Sequence, residues 1–185
     1  MALTESTMLE LGTIAPDFSM TDVVTGKVVR RDDARGQKAL LVLFICAHCP
    51  YVKHIEKELA TLGKDYAGKG VSIVAISSND AATHPDDNPA GLKKQAQTYG
   101  FVFPYLYDET QTVAHAYKAA CTPDFFLFDA EFRLVYRGQF DSSRPGNGVP
   151  VTGEDLRAAV DTVLAGKPVP TDQRPSIGCN IKWKA

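Results

Sequence analysis

Two short, mostly apolar runs are the strongest feature of the pattern of hydrophobic and polar positions along the chain. Residues 40–45 contain only Leu, Val, Phe and Ile, and residues 71–76 form a similar run with one serine in it. Apolar runs of this length, rich in β-branched residues, are typical of strands that are buried on both faces. We therefore predict a buried strand at each run.

The pattern changes to that of an amphipathic helix soon after the first run. The apolar residues of this helix are three and four positions apart, at Val52, Ile55, Leu59 and Leu62. This spacing places them on one helical face, with charged residues between them. Pro50 suits the first helical position, because proline has no N–H to leave unpaired there. The glycines at positions 68 and 70 indicate where the helix ends.

The rest of the chain alternates short strands and helices. The sequence predicts strands at 15–22, 23–29, 101–107, 125–128 and 134–137, and helices at 89–99, 111–120 and 152–164. A capping box of Thr152 and Asp155 is predicted to open the last helix. A long polar loop spans residues 77–89, and residues 169–185 show no regular periodicity. This order predicts an α/β fold, with a central mixed β-sheet and helices on both faces.

Composition and charge narrow the classes of function. The formal net charge is -2, and Lys and Arg form no dense run, which argues against nucleic acid as a partner. The sequence shows neither the pattern of a signal peptide nor an apolar run of membrane-spanning length. We therefore expect a cytoplasmic protein with no membrane partner. In that compartment cysteines stay reduced unless they are catalytic, sensing or metal-bound.

Two of the four cysteines, Cys46 and Cys49, fall at the junction of the first buried strand and the helix. With Pro50 in the first helical position, Cys49 is the N-cap, where unpaired backbone N–H groups and the helix dipole favour an anion. A thiol at such a position has a pKa below the free value of about 8.5. The sequence therefore predicts a redox-active or nucleophilic thiolate at Cys49. Cys46 either fills the end of the strand or forms a disulfide with Cys49.

Three motifs carry a resemblance to known proteins. They are residues 12–18 (Gly-Thr-Ile-Ala-Pro-Asp-Phe) followed by Gly26-Lys27, the strand–Cys49–helix unit, and Thr122-Pro123 before the last hairpin. Together they resemble the thioredoxin superfamily, and specifically its peroxiredoxin-like or redoxin branch, the alkyl hydroperoxide reductase and thiol-specific antioxidant proteins. The resemblance implies a thioredoxin-like three-layer sandwich with an N-terminal β-hairpin. It also implies a domain at 11–168, a preceding segment at 1–10, and a C-terminal tail at 169–185 that packs on the domain.

The resemblance implies a thiol-dependent oxidoreductase. Cys49 would attack a disulfide or a peroxide, and Cys46, or failing it Cys179, would close an intramolecular disulfide. The substrate would be a small-molecule oxidant or a protein disulfide, and thioredoxin or another dithiol donor would reduce the protein again. The sulfur atoms carry the electrons, so no bound cofactor is expected.

The resemblance also implies roles for residues around the cysteines. Thr122 and Pro123 match the superfamily's Thr/Ile-cis-Pro, which faces the reactive cysteine across the site. His48 lies inside the motif and either stabilises the thiolate as an imidazolium or faces solvent. Cys121 is a core residue or supports the site, and Cys179 is an ordinary tail cysteine or a second resolving thiol.

Two alternatives from other classes remain open in the sequence. The first is a non-enzymatic redox sensor or adaptor, which would use residues 79–89 and 174–184 as partner surfaces. The second is a structural zinc site at Cys46-x-x-Cys49. Such a site needs four ligands, usually with a second closely spaced pair. Cys121 and Cys179 are single and distant in sequence, so they do not form that pair.

Overall fold

The computed structural model describes residues 2–185. The strands are β1 (Leu3–Glu5), β2 (Ser19–Thr21), β3 (Val28–Arg30), β4 (Ala39–Phe44), β5 (Val71–Ser77), β6 (Tyr105–Tyr107), β7 (Cys121–Thr122), β8 (Asp124–Asp129), β9 (Leu134–Tyr136) and β10 (Ile177–Asn180). The helices are α1 (Pro50–Tyr66), α2 (Pro89–Tyr99), α3 (Thr112–Ala116) and α4 (Glu154–Leu164), with a 3-10 turn at Pro85–Asp87.

Strand β4 is the centre of a five-stranded sheet with the order β6-β5-β4-β8-β9. It pairs in parallel with β5 and antiparallel with β8, so the sheet is mixed. Every residue of β4 is buried, as expected for a central strand covered on both faces. The two apolar runs of the sequence therefore form neighbouring strands of one sheet.

Alternate residues of β4 point to two separate cores, because side chains on a strand alternate between the faces of a sheet. Leu41 and Leu43 pack with the buried faces of α1, α2 and α4. Leu40, Val42 and Phe44 pack with α3 and with the chain around the β2–β3 hairpin. The predicted α/β fold, a central mixed sheet with helices on both faces, is confirmed.

The C-terminal segment contains a strand that the sequence pattern did not predict. Strand β10 lies between β1 and β7 in a three-stranded antiparallel sheet, and Cys179 is directly opposite Thr122. Neither β1 nor β10 shows a recognisable alternation of apolar and polar residues in its sequence, because both strands are short and partly polar. This pairing brings the end of the chain to the loop that carries Thr122 and Pro123. The division at residues 11 and 168 stays a prediction.

Some predicted boundaries are wrong in detail. Helix α4 begins after Gly153, which adopts a left-handed φ of 68° as N-cap, and no side chain of residues 2–185 caps the helix. The predicted capping box of Thr152 and Asp155 therefore does not form. Strand β6 covers only the last part of the predicted run at 101–107, because Pro104 precedes it. Within residues 2–185, no helix combines the length and the apolar character needed to cross a membrane.

Candidate active site

Cys49 lies where the chain leaves the central sheet and enters α1. It is the N-cap residue of α1, and Pro50 occupies the first turn as predicted. The Cys49 carbonyl accepts hydrogen bonds from the N–H groups of Val52 at 3.1 Å and Lys53 at 3.0 Å. The backbone is therefore fixed in the conformation that directs helix N–H groups toward the Cys49 side chain.

Three sulfur atoms meet at this point, and we call Cys46, Cys49 and Cys179 the thiol cluster. The Sγ atom of Cys49 is 2.6 Å from the Sγ atom of Cys179, compared with about 2.05 Å in a disulfide. Cys46, three residues earlier, lies close enough to lower the pKa of Cys49. Cys46 and Cys49 are both fully buried, whereas Cys179 is 3% exposed. Residues separated by 130 positions in sequence thus form one site.

Thr122 and Pro123 form the opposite wall of the thiol cluster. The Thr122 carbonyl oxygen lies 3.3 Å from the Cys49 sulfur, and the Thr122 hydroxyl is 3.4 Å from the Cys46 sulfur. The Thr122–Pro123 peptide bond is cis. The structure therefore brings five of the six candidate site residues together, and their catalytic roles stay predictions.

The cluster holds one acidic thiol beside two weakly acidic ones. The hydrogen bond from Cys46, opposed by burial and helped by Cys179 and the backbone N–H of Val52, lowers the pKa of Cys49 to about 5. Burial and the contact with Cys49 raise the pKa of Cys179 to about 12. Burial also raises the pKa of Cys46 well above the ordinary value. At neutral pH Cys49 is therefore a thiolate, and its two neighbours are thiols.

This asymmetry predicts a spectroscopic titration. Thiolates absorb near 240 nm, so the absorbance of the reduced protein should rise with a midpoint near pH 5. The other cysteines have raised pKa values and should contribute no rise below about pH 8. The same titration on Cys49→Ser should be flat in this range. A midpoint above about pH 8 in the unmodified protein would contradict the assignment of the thiolate.

Among residues 2–185, the side-chain hydrogen bond of His48 goes to Asp87 and not to the thiol cluster. Its Nδ1 donates to the Asp87 carboxylate at 2.5 Å, and its ring lies 4.5 Å from the ring of His84. The groups that principally set the pKa of Cys49 are the other cysteines and the backbone. The predicted effect of His48 on the cysteine pKa stays a prediction.

Asp87 is the residue that sequence reasoning missed. It is fully buried at the end of the 3-10 turn and accepts hydrogen bonds from the backbone N–H groups of Ala47 at 2.8 Å and His48 at 3.1 Å. Burial would raise the pKa of Asp87, but hydrogen bonds from His48, Asn79 and Ala47 hold it below its usual value. Its only signal in the sequence was its place in the long polar loop at 77–89.

A second polar group lies behind Cys46. The side-chain amide of Gln95 donates to the Cys46 carbonyl at 3.1 Å and to the Glu56 carboxylate at 3.0 Å. The hydroxyl of Tyr105 donates to the other end of the Gln95 amide at 3.0 Å. All these side chains are buried, so the network fixes the backbone of Cys46 from inside the domain.

Among residues 2–185, one group of side chains has the composition of a metal site, namely Cys46, His48 and Asp87, whose candidate ligand atoms lie within 4.8 Å of one another. Protein hydrogen bonds already use the His48 Nδ1 atom and both Asp87 oxygens. Each Asp87 oxygen accepts two of them, and the Cys46 sulfur is 3.4 Å from the Thr122 hydroxyl. The arrangement fits a hydrogen-bonded loop better than a zinc site, and the zinc alternative is not favoured.

Cys121 is adjacent to the site, and its sulfur contacts the Pro123 carbonyl and not a sulfur of the thiol cluster in the hydrogen bonds of residues 2–185. It is fully buried, its sulfur is 3.6 Å from the Pro123 carbonyl, and burial raises its pKa far above the ordinary value. These properties match the expectation of a core or supporting residue.

Asp124, the residue after Pro123, should make stability fall as pH rises. Burial raises its pKa from 3.8 to about 7, and its Oδ1 atom has no hydrogen-bond partner within residues 2–185. Because the pKa is higher in the folded protein than in the unfolded chain, Asp124 does not lower the free energy of unfolding at a pH below its unfolded pKa. It lowers this free energy increasingly as the pH rises through the folded value of about 7. We therefore expect the difference in free energy of unfolding between Asp124→Asn and the unmodified protein to shift in favour of the variant by a few kcal/mol as the pH rises from about 4 to about 8.

Urea unfolding of both proteins across this range measures the effect. The difference between them cancels the contribution of Cys49, whose lowered pKa has the opposite sign. A difference that does not change with pH would show that Asp124 does not titrate in this way.

Comparisons with known proteins agree with this geometry. Residues 11–137 match the model of the AhpC/TSA family. Thiol-disulfide oxidoreductase ResA of Geobacillus kaustophilus is 30% identical over 129 residues, which cover 68% of this chain and 67% of that protein. The crystal structure of an uncharacterized conserved protein from Geobacillus kaustophilus superposes with a TM-score of 0.98 at 58% identity, over 100% of this chain and 97% of that one.

A more distant structure shows the fold. A thiol:disulfide interchange protein of the thioredoxin family from Chlorobium tepidum TLS superposes with a TM-score of 0.63 at 21% identity, over 83% of this chain and 97% of that one. The predicted thioredoxin-like fold is confirmed. The family match covers more than half of the chain, and it includes the strand, the N-cap cysteine and the cis-proline described above. The chain belongs to the AhpC/TSA family of thioredoxin-like proteins.

Proposed function

We propose that the protein is a thiol–disulfide oxidoreductase in which Cys49 is the nucleophile and Cys179 closes the intramolecular disulfide. The contact of 2.6 Å between the sulfur atoms of Cys49 and Cys179 carries this proposal. The lowered pKa of Cys49 supports the assignment of the nucleophile, because the thiolate is the form that attacks a disulfide.

The reaction proceeds in two exchanges. The Cys49 thiolate attacks one sulfur of a substrate disulfide, forms a mixed disulfide and releases the other half of the substrate as a thiolate. The Cys179 sulfur then attacks the Cys49 sulfur, its proton passes to the departing substrate thiolate, and a Cys49–Cys179 disulfide forms. The substrate gains two electrons, and the protein loses two.

Cys46 takes a different part in this scheme from the one expected from the sequence. Its thiol donates a hydrogen bond to the Cys49 thiolate and contacts the Thr122 hydroxyl. A hydrogen bond to the charged form stabilises that form, so Cys46 keeps Cys49 ionised. A resolving role for Cys46 stays a prediction, and the variants in the Discussion separate the two roles.

A peroxide substrate is the second candidate, favoured by the burial of Cys49. Cys179 and β10 cover the Cys49 sulfur, which is fully buried, and a small oxidant needs less displacement of β10 than a protein disulfide. Cys49 would then attack one peroxide oxygen and become a sulfenic acid, while the O–O bond breaks and the other oxygen leaves as hydroxide or an alkoxide. Attack by the Cys179 thiol would then release the sulfenic acid oxygen as water. Both routes end in the same protein disulfide.

Recycling requires an external dithiol, thioredoxin or another cellular donor, and we propose that it attacks the Cys179 sulfur. Cys179 is the less deeply buried residue of the pair, 3% exposed against 0% for Cys49. Attack of the donor thiol on Cys179 also expels the Cys49 thiolate, whose low pKa makes it the better leaving group. We retain a cytoplasmic location as part of this proposal.

Turnover with a chemical donor tests the function and the reaction type together. The reduced protein is mixed with dithiothreitol and either glutathione disulfide or hydrogen peroxide, and the loss of dithiol is followed over many equivalents. We expect repeated turnover with at least one oxidant. A single equivalent consumed, with no recycling, would favour the redox sensor instead, and no reaction beyond that of Cys49→Ser would overturn the proposal.

A further inference from the structure

We infer that Asn79 and Asp87 are positioning residues that form a buried bridge between the chain segment of Cys49 and the chain segment of Cys179. The inference rests on the proposed function and explains how two cysteines so distant in sequence are held in contact. Neither residue touches a reacting sulfur in this scheme, and both act through the backbone.

The Cys49 end of the bridge is the Asp87 carboxylate. It accepts hydrogen bonds from the N–H groups of Ala47 and His48, the two residues that immediately precede Cys49. It also accepts a hydrogen bond from the Nδ1 atom of the His48 side chain at 2.5 Å. Three of its four contacts therefore fix the turn that leads from Cys46 into α1.

The Cys179 end of the bridge is the Asn79 amide. Its Nδ2 donates to Asp87 Oδ2 at 2.8 Å, and its Oδ1 accepts the backbone N–H of Lys182 at 2.8 Å. Lys182 follows Cys179 by three residues. Its carbonyl is held as well, by the N–H of Asp80 and the side chain of Gln111. The C-terminal segment is thus anchored just after the cysteine that it carries.

Burial gives this bridge its specificity. Asp87 is fully buried and Asn79 is 2% exposed, so solvent is not available to replace a lost partner. An asparagine offers a donor toward the carboxylate and an acceptor toward Lys182 at the same time. An aspartate at position 79 would place a second carboxylate against Asp87, and an alanine would leave both partners unpaired.

The bridge should therefore set the effective concentration of Cys179 at Cys49. Orientation of two reacting groups raises their effective concentration by orders of magnitude. We expect Asn79→Ala to lower the effective concentration of the two thiols by about tenfold or more. It should leave the first exchange at Cys49 within about threefold, because the hydrogen bonds of the Asn79 side chain within residues 2–185 go to Asp87 and Lys182 and not to Cys49.

Equilibration with a glutathione redox buffer measures this quantity. Acid quenching and mass spectrometry give the ratio of the Cys49–Cys179 disulfide to the glutathione mixed disulfide, and this ratio reports the effective concentration. Asp141→Asn is the matched control. Asp141 is another buried carboxylate that accepts backbone N–H groups, from Ser143, Thr152 and Gly153, and among residues 2–185 its side chain hydrogen-bonds to neither cysteine segment.

The outcomes separate this inference from the proposed function. A folded Asn79→Ala protein with the unmodified ratio would overturn the bridge, whereas absence of the Cys49–Cys179 disulfide in the unmodified protein would overturn the function. Should Asn79→Ala not fold, Asp87→Asn replaces it. That variant keeps the shape of the side chain but sets an amide against the Asn79 amide or the His48 Nδ1, so it should lower the ratio too. An unchanged ratio in Asp87→Asn would equally contradict the bridge.

Discussion

Cys49→Ser should lower turnover with either oxidant by at least about a thousandfold, because it removes the only low-pKa thiol of the cluster within residues 2–185. A serine hydroxyl in the same place is not ionised at neutral pH and neither attacks a disulfide nor forms a sulfenic acid. The measurement is the rate of dithiol oxidation under saturating donor, compared with the unmodified protein.

Cys121→Ser is the matched control for this prediction. It changes a buried cysteine of the same region, whose sulfur contacts the Pro123 carbonyl and whose pKa is raised by burial. Turnover of this variant should stay within about threefold of that of the unmodified protein. Equal activity in Cys49→Ser and the unmodified protein would end the assignment of the nucleophile.

Cys179→Ser should stop the reaction after its first exchange. The Cys49 thiolate still attacks glutathione disulfide, but the sulfur that lies 2.6 Å away to resolve the product is gone. The mixed disulfide of Cys49 with glutathione should therefore accumulate to about one per chain, and turnover should fall by about a hundredfold or more. Intact mass under acid quench detects the adduct directly.

Cys46→Ser separates the two candidate resolving thiols. In our scheme this variant still closes the Cys49–Cys179 disulfide, and the serine hydroxyl keeps a hydrogen-bond donor beside Cys49 in place of the thiol. Accumulation of the glutathione adduct in Cys46→Ser, together with its absence in Cys179→Ser, would assign resolution to Cys46, as first expected from the sequence.

The local part of the site was predictable from sequence because local chemistry determines it. The apolar run, Pro50 and the helical spacing that follows together place Cys49 at an N-cap, and the structure has it there. Thr122 and Pro123 were found by resemblance, and the peptide bond between them is cis. The mixed sheet followed from the alternation of strands and helices.

The non-local part of the site had no comparable signal. Strand β10 is short and shows no alternation, so nothing in its pattern indicated that it pairs with β7 and carries Cys179 to Cys49. Asn79 and Asp87 sit in a polar loop, where a residue that bridges two segments looks like one that faces solvent. Only the tertiary structure, through burial and hydrogen-bond partners, distinguishes them.

Disulfide mapping of the oxidised protein tests the central claim most directly. The reduced protein is treated with one equivalent of oxidant, its remaining thiols are alkylated under denaturing conditions, and the digest is analysed by mass spectrometry. We predict one disulfide, between Cys49 and Cys179, with Cys46 and Cys121 recovered in alkylated form. A disulfide between Cys46 and Cys49, or a Cys49 that remains reduced, would contradict the account.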